Sequence, residues 1–184
     1  STMVEHILSV SVEGREYKYN PTVVYLGDII SQLTQGAGMN TGKKPVFNID
    51  CAEHIKILAD EFHIKNLLAT VIDNAVKYTE AGGQVLINMG TEEACVRITI
   101  KDTGVGIPAE DIARVKEKFY KANKTVRGSG IGLAVADEII KQHDGLLFIE
   151  STENVGTTVT VVLPIFEEII EVTEEEGVET EENV

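Results

Sequence analysis

The spacing of apolar side chains changes from segment to segment along this chain, and the spacing predicts the elements. Residues 4–12 carry apolar positions at 4, 7, 8, 10 and 12, compatible with the last turns of a helix before the break at Gly14. Such a stretch is too short to fold alone. Beyond Asn20-Pro21, residues 21–35 place apolar side chains at 23, 24, 26, 29, 30 and 33, which predicts an amphipathic helix. A loop spans 36–44, and residues 45–49 (PVFNI) predict a short strand. Residues 62–78 then give apolar positions at 64, 67, 68, 71, 72, 75 and 76, the stripe of a long core-facing helix. Asp60-Glu61 supplies acids at the positive end of its dipole.

The second half changes period. Residues 84–89 and 94–100 alternate apolar and polar, predicting two strands joined through Gly90-Thr91-Glu92-Glu93 as a hairpin. Residues 146–151 and 157–163 predict another strand pair around the loop 152–156. Between the pairs lie a glycine-rich loop, a basic segment and a helix over 131–143. Helices and strands are partly segregated, so the expected class is α+β, a two-layer α/β sandwich.

Length and charge narrow the picture. The 184 residues suit one domain with short appendages. No apolar run approaches the roughly 20 residues that a membrane-crossing helix requires, and no secretory signal is present. Ser1-Thr2-Met3 reads as a leftover of cloning and is excluded from fold reasoning. The net charge of −14 is lopsided: residues 165–184 hold nine glutamates and no other charge, so the remainder carries only −5. That body offers little to a phosphate backbone, and nucleic acid is not an expected partner. From about Phe166 onward the chain reads as a solvated, disordered acidic tail. Cys51 and Cys95 stand alone in strand-like runs and read as buried free thiols.

Four short patterns carry the chemistry. Residues 73–78 (DNAVKY) close the long helix, where helical spacing brings Asn74, Lys77 and Tyr78 within about one turn of each other. An Asn amide oxygen is a neutral ligand suited to Mg²⁺, Lys77 supplies a point charge for phosphate, and Tyr78 a flat face for a base. Residues 102–108 (DTGVGIP) follow a strand. A carboxylate there accepts from the exocyclic amine of adenine and repels the oxygen that guanine would present. Gly104 and Gly106 allow close backbone approach.

The third pattern, residues 116–127 (KEKFYKANKTVR), places Lys121, Lys124 and Arg127 on a loop able to act as a lid that brings charge to a triphosphate. The fourth, residues 128–133 (GSGIGL), leads into a helix whose amino end and backbone amides can hold phosphate oxygens. Two better-known phosphate motifs do not fit. Residues 36–44 (GAGMNTGKK) have Ala37 where a P-loop needs glycine and Lys44 where it needs Ser or Thr. Residues 128–132 are spaced G-x-G-x-G with no preceding strand, unlike a dinucleotide fingerprint, and protein-kinase marks such as H-R-D are missing.

The ordered set DNAVKYT, DTGVGIP, KFYK and GSGIGLAV resembles the N box, first glycine box, F box and second glycine box of sensor histidine kinases, over about residues 21–164. The resemblance implies a Bergerat-type ATP-binding fold: a mixed sheet of about five strands with three helices on one face, similar to the ATPase domains of gyrase and the heat-shock chaperone. It implies ATP and Mg²⁺ as cofactors. Asn74 would hold the metal, Lys77 the phosphate, Tyr78 the adenine face and Asp102 its amine. Gly104 and Gly106 would shape the base pocket, Gly128, Gly130 and Gly132 would form the hinge and phosphate wall beneath the lid, and Ile107, Lys121, Arg127, Leu133 and Thr157 would be further nucleotide-binding residues.

Two departures from the family pattern stand out. Family members usually have Asn four residues before the magnesium Asn, and here that place is Thr70. Relatives that hydrolyse ATP or phosphorylate serine in anti-sigma fashion carry Glu there, and Thr70 cannot act as that base. The phosphoacceptor box, His followed by an acid in an apolar helix, is also missing. His6, His54, His63 and His143 each read instead as surface or cap histidines.

The expected organisation is therefore 1–20 as the end of a dimerisation helix and linker, 21–165 as the catalytic ATP-binding domain, and 166–184 as the acidic tail. The implied reaction moves the γ-phosphoryl group to a histidine of the kinase's own dimerisation domain, and onward to a response regulator. The implied place is the cytoplasm, in a kinase that can be membrane-anchored. The alternatives are an anti-sigma-type serine kinase or ATPase, and a degenerate ATP-sensing module.

Overall fold

The structure, a computed structural model, describes residues 19–37, 45–52, 54–122 and 129–166. Strand β1 (Pro21–Tyr25) runs straight into helix α1 (Leu26–Gly36). Strands β2 (Val46–Cys51) and β3 (Lys56–Asp60) precede the long helix α2 (Glu61–Tyr78). The hairpin β4 (Gln84–Glu92) and β5 (Cys95–Asp102) follows. After a one-turn helix α3 (Ala109–Ile112) come helix α4 (Gly132–Gln142) and strands β6 (Leu146–Thr152) and β7 (Gly156–Pro164).

Five strands form a mixed sheet in the order β2-β4-β5-β7-β6, and β1 and β3 form a separate two-stranded ribbon. Only the β2–β4 pair is parallel in the large sheet. Strand alternation explains why helices cover one face: along β5, Val96, Ile98 and Ile100 are buried while Arg97 and Lys101 are exposed. Opposite them, α2 presents Ile64, Leu67, Leu68, Val71 and Ile72, α4 presents Ala136, Ile139 and Ile140, and α1 presents Ile29 and Ile30. All belong to one core. Each fully buried Leu or Ile contributes roughly 1.5–3 kcal/mol, so this layer contact is what holds the sandwich. The expected α+β sandwich with a five-stranded mixed sheet is therefore found, with the β1–β3 ribbon added.

That ribbon corrects the expected helix over 21–35. Its first five residues are the strand β1, antiparallel to β3, with Val23 opposite Leu58 and Val24 opposite Ile57. Two adjacent valines and a tyrosine pack well on a pleated surface and fit the helical stripe only by coincidence. Pro21, which has no N–H, sits opposite Asp60, whose own N–H is donated to His143 Nε2 at 3.2 Å. The β4–β5 turn is also tighter than expected: strand pairing continues to Glu92 opposite Cys95, with Glu93 at φ 53° completing the reversal. Both cysteines are half-buried rather than buried.

Asp60 ties the ribbon to the helical layer. Its carboxylate accepts from the N–H of His63, capping α2, and from the N–H of Asn20 in the entering chain. His143, at the end of α4, carries its proton on Nδ1, which donates to Ile139 O, leaving Nε2 to accept from Asp60 N–H. His143 is thus a cap histidine, as expected, but a buried one. His63 is buried at 4% exposure, against the surface or cap position expected of it. Burial lowers the His63 pKa, with nearby Asp60 opposing the shift and His143 adding to it. Among the described residues no helix is long and apolar enough to cross a membrane. The readings made for residues 4–12, His6, most of the 36–44 loop, Lys124, Arg127, Gly128 and the tail from 167 lie outside the described residues.

Candidate functional site

One cavity of about 250 Å³ opens between the ends of α2, β5 and α4. From α2 come Val71, Asn74, Ala75, Lys77 and Tyr78, positions that recur every three or four residues and so share a face. From the sheet come Ile100, Asp102, Ile149, Thr157 and Val159, and from the connecting loops Gly106, Ile107, Val115, Tyr120, Lys121, Ala122, Ser129 and Gly130. Gly132 and Leu133 complete it at the start of α4. An apolar floor with a few polar groups converging on it is the make-up of a small-molecule site.

Asp102 is 5% exposed at the end of β5. Its Oδ1 accepts from the backbone N–H groups of Gly104 at 2.8 Å and Thr157 at 3.2 Å. Oδ2 takes no donor among the described residues and is the acceptor left for a ligand. Burial raises the Asp102 pKa, and the two backbone donors partly oppose the rise. On the other side of Thr157, a hydroxyl network ties β6 and β7 to the glycine loop through Ser151.

Glycine is required here by close packing of backbones. A Cβ on Gly104 would lie 2.4 Å from Tyr78 O, and one on Gly106 would lie 2.0 Å from Thr152 O, with φ +67° besides. Gly104 does not line the cavity; its place is against Tyr78 O, whose carbonyl also accepts from Val105 N–H at 3.2 Å. That differs from the expected approach to ligand: Gly104 shapes the pocket from behind its wall. Gly156, not singled out in the sequence, is as constrained, with a Cβ 2.0 Å from Asp102 O and φ +143°.

The end of the cavity at Lys77 and Lys121 is cationic. Lys77 Nζ stands over the Tyr78 ring, 5.3 Å from its centroid. Burial and the neighbouring Lys121 both lower the Lys77 pKa, the mark of two cations turned into one space. The Gly130 carbonyl accepts from Phe119 N–H at 2.9 Å, and at its φ of +73° a Cβ would lie 2.8 Å from Tyr120 O. Lys116, at the start of the basic segment, is committed elsewhere, to Leu147 O at 2.6 Å and Asp137 at 2.8 Å. Gly132 leaves room for the methyl of Thr70, which would lie 3.0 Å from a Cβ there.

Of the residues named from the sequence, Asn74, Lys77, Tyr78, Asp102, Gly106, Ile107, Lys121, Gly130, Gly132, Leu133 and Thr157 line this one cavity. Arg127 and Gly128 lie outside the described residues. Sequence reasoning missed the apolar floor. The signal was available for Val71 and Ala75 in the α2 periodicity, for Ile100 and Val159 in strand alternation and for Tyr120 in the KFYK motif, whereas nothing local marked Val115.

Comparison with known proteins agrees with this geometry. Residues 59–167 match the family model described as histidine kinase-, DNA gyrase B-, and HSP90-like ATPase. The sensor histidine kinase WalK of Bacillus subtilis is 30% identical over 90% of this chain, and the sensor protein RprX of Bacteroides fragilis is 39% identical over 59%. The chain spans only 28% and 22% of those two relatives. Among solved structures, the mycobacterial sensor histidine kinase MprB superposes with a TM-score of 0.71 at 23% identity, over 79% of this chain and 98% of that one. The catalytic domain of histidine kinase ThkA gives 0.70 at 24% identity, over 79% and 95%. With the fold, the cavity and the family match in agreement, the chain belongs to the histidine kinase-, DNA gyrase B- and HSP90-like ATPases and is an ATP-binding domain.

Proposed function

We propose that this chain is the catalytic ATP-binding domain, centred on residues 21–165, of a sensor histidine kinase. In this reading it transfers the γ-phosphoryl group of Mg-ATP to a histidine of the kinase's dimerisation domain. The observation that carries the proposal is that Asn74, from the end of α2, and Asp102, from the end of β5, open onto the same cavity.

Asp102 Oδ2 accepts from the adenine amine, Tyr78, Ile107 and Leu133 enclose the base, and Lys77 and Lys121 face the phosphates. Gly106 and Thr157 shape the base end, with Gly104 behind them. Gly130 and Gly132 stand at the phosphate end of the cavity. Among the described residues no three His, Cys, Asp or Glu side chains gather as a metal-ligand group. What the cavity offers a cation is the Asn74 amide oxygen, a donor that fits Mg²⁺ already held by ATP phosphates. When bound, Mg²⁺ would supply neutralisation of phosphate charge, with Asn74 as the side chain that would hold it. The residues themselves position the nucleotide and exclude water, which is most of what phosphoryl transfer requires. A neutral imidazole is nucleophilic enough without a base from this domain. The dimerisation domain and a response regulator are the protein partners, and the cytoplasm the place.

The place of Thr70 favours this over an ATPase or serine kinase. Its methyl packs toward Gly132, and it does not line the cavity, so it has neither the chemistry nor the position to activate water. Mixing the chain with a dimerisation domain carrying an acceptor histidine and radiolabelled ATP tests the proposal. Acid-labile, alkali-stable label on the acceptor is expected, and steady release of inorganic phosphate without transfer would overturn it.

A further inference from the structure

Ser151 lies outside the cavity wall, yet its hydroxyl fixes the polarity of a group on a residue that lines it. Three contacts meet at Ser151 Oγ: the N–H of Ile107 at 2.8 Å, the carbonyl of Gly156 at 2.9 Å, and Thr157 Oγ1 at 2.8 Å. A serine hydroxyl has one proton and two lone pairs. The Gly156 carbonyl can only accept, so the Ser151 proton goes to it. The Ile107 N–H can only donate, so it takes one lone pair. What remains for Thr157 is the other lone pair, and Thr157 must therefore donate its own proton to Ser151.

The Thr157 hydroxyl is left with lone pairs alone to offer, in a residue that lines the cavity and whose N–H is bound to Asp102 Oδ1. Asp102 Oδ2 is likewise an acceptor. Both groups thus ask the ligand for a proton, which the 6-amino group of adenine supplies and the oxygen of a 6-oxo purine does not. We propose that Ser151 is a specificity-determining positioning residue, which holds the Thr157 hydroxyl as an acceptor and thereby strengthens selection of adenine over 6-oxo purines. The inference deepens the reading of this cavity as an adenine pocket and rests on it.

Removing the Ser151 hydroxyl frees the Thr157 proton to turn toward a 6-oxo group. The test compares affinities for Mg-ATP and Mg-ITP, whose base carries an oxygen in place of the amine, by calorimetric titration. Ser151→Ala is expected to lower the ATP-to-ITP affinity ratio by about tenfold, because a donor that can now pair with the oxygen replaces one that could not. Ser151→Thr, which keeps the hydroxyl, restores the wild-type ratio. With Thr157→Val in place there is no proton left to redirect, and adding Ser151→Ala changes the ratio no further. Ser151→Cys, nearly isosteric and a poor acceptor, repeats the fall in ratio should the alanine variant not fold.

A merely structural role, through the Ile107 and Gly156 bonds, weakens both nucleotides by the same factor, and an unchanged ratio in Ser151→Ala and Ser151→Cys would overturn the proposal. Asp102→Asn separates this outcome from failure of the adenine reading. If that variant shifts preference toward ITP while the Ser151 variants do not, only the Ser151 role is lost. If it keeps the wild-type preference for ATP, the adenine pocket itself is wrong.

Discussion

One residue of the pocket answers to opposite demands. Asp102 must stay buried to discriminate between bases, and burial disfavours its charge. Its pKa is raised in the folded state, so the native protein holds that proton to higher pH than the unfolded chain does. The ionised group therefore costs stability at neutral pH, and that cost disappears as pH falls through the folded pKa. Asp102→Asn keeps an acceptor for Gly104 and Thr157, so the unliganded variant is expected to melt at or above the wild-type temperature at pH 7 by calorimetry. For nucleotide the sign reverses: affinity falls on acidification, starting above the ordinary carboxylate range near about 4. The variant lacks that limb in titrations across pH. The glycines answer to sterics alone. Gly106→Ala places a Cβ 2.0 Å from Thr152 O at φ +67°, and is expected to cost more than about 2 kcal/mol in chemical denaturation. Gly82→Ala meets open space at φ +81° and is expected to cost only about 1 kcal/mol of left-handed strain.

Among the elements, α2 and α4 matter most, since each brings cavity residues at one end and meets Asp60 at the other. Asp60→Ala removes the α2 cap and the Asn20 bond while keeping the backbone N–H that meets His143, and is expected to cost about 2 kcal/mol, the upper range for a cap. His63 adds a pH dependence. Its folded pKa is lowered, so below the ordinary histidine value of about 6.5 the unfolded chain takes up a proton that the native state refuses. Stability is expected to fall on acidification through that window, and His63→Phe is expected to flatten the slope in melts from pH 7 to 5. The long elements were legible from sequence because their periods run over many residues. The β1–β3 ribbon was not: β1 is five residues long, runs into α1 without an intervening loop, and pairs with residues more than thirty positions away. Lys56–Asp60 does alternate, with Ile57 and Ala59 inward, but over too few residues to stand out.

At the scale of the molecule, the site exists only once the sandwich forms, because its walls come from α2, β5, α4 and β7. Residues that carry chemistry were legible in the four ordered motifs. The apolar floor and the Gly156 contact were not, since they depend on which strands lie side by side. None of the histidines among the described residues lines the cavity, so the chain incubated alone with γ-labelled ATP is expected to take up no acid-labile label. The central claim, that one cavity reads adenine at Asp102, is tested most directly by calorimetric titration of wild type and Asp102→Asn with Mg-ATP. Loss of at least about a hundredfold in affinity, with the fold intact, is the result this account predicts. Equal affinity of the two proteins would contradict it.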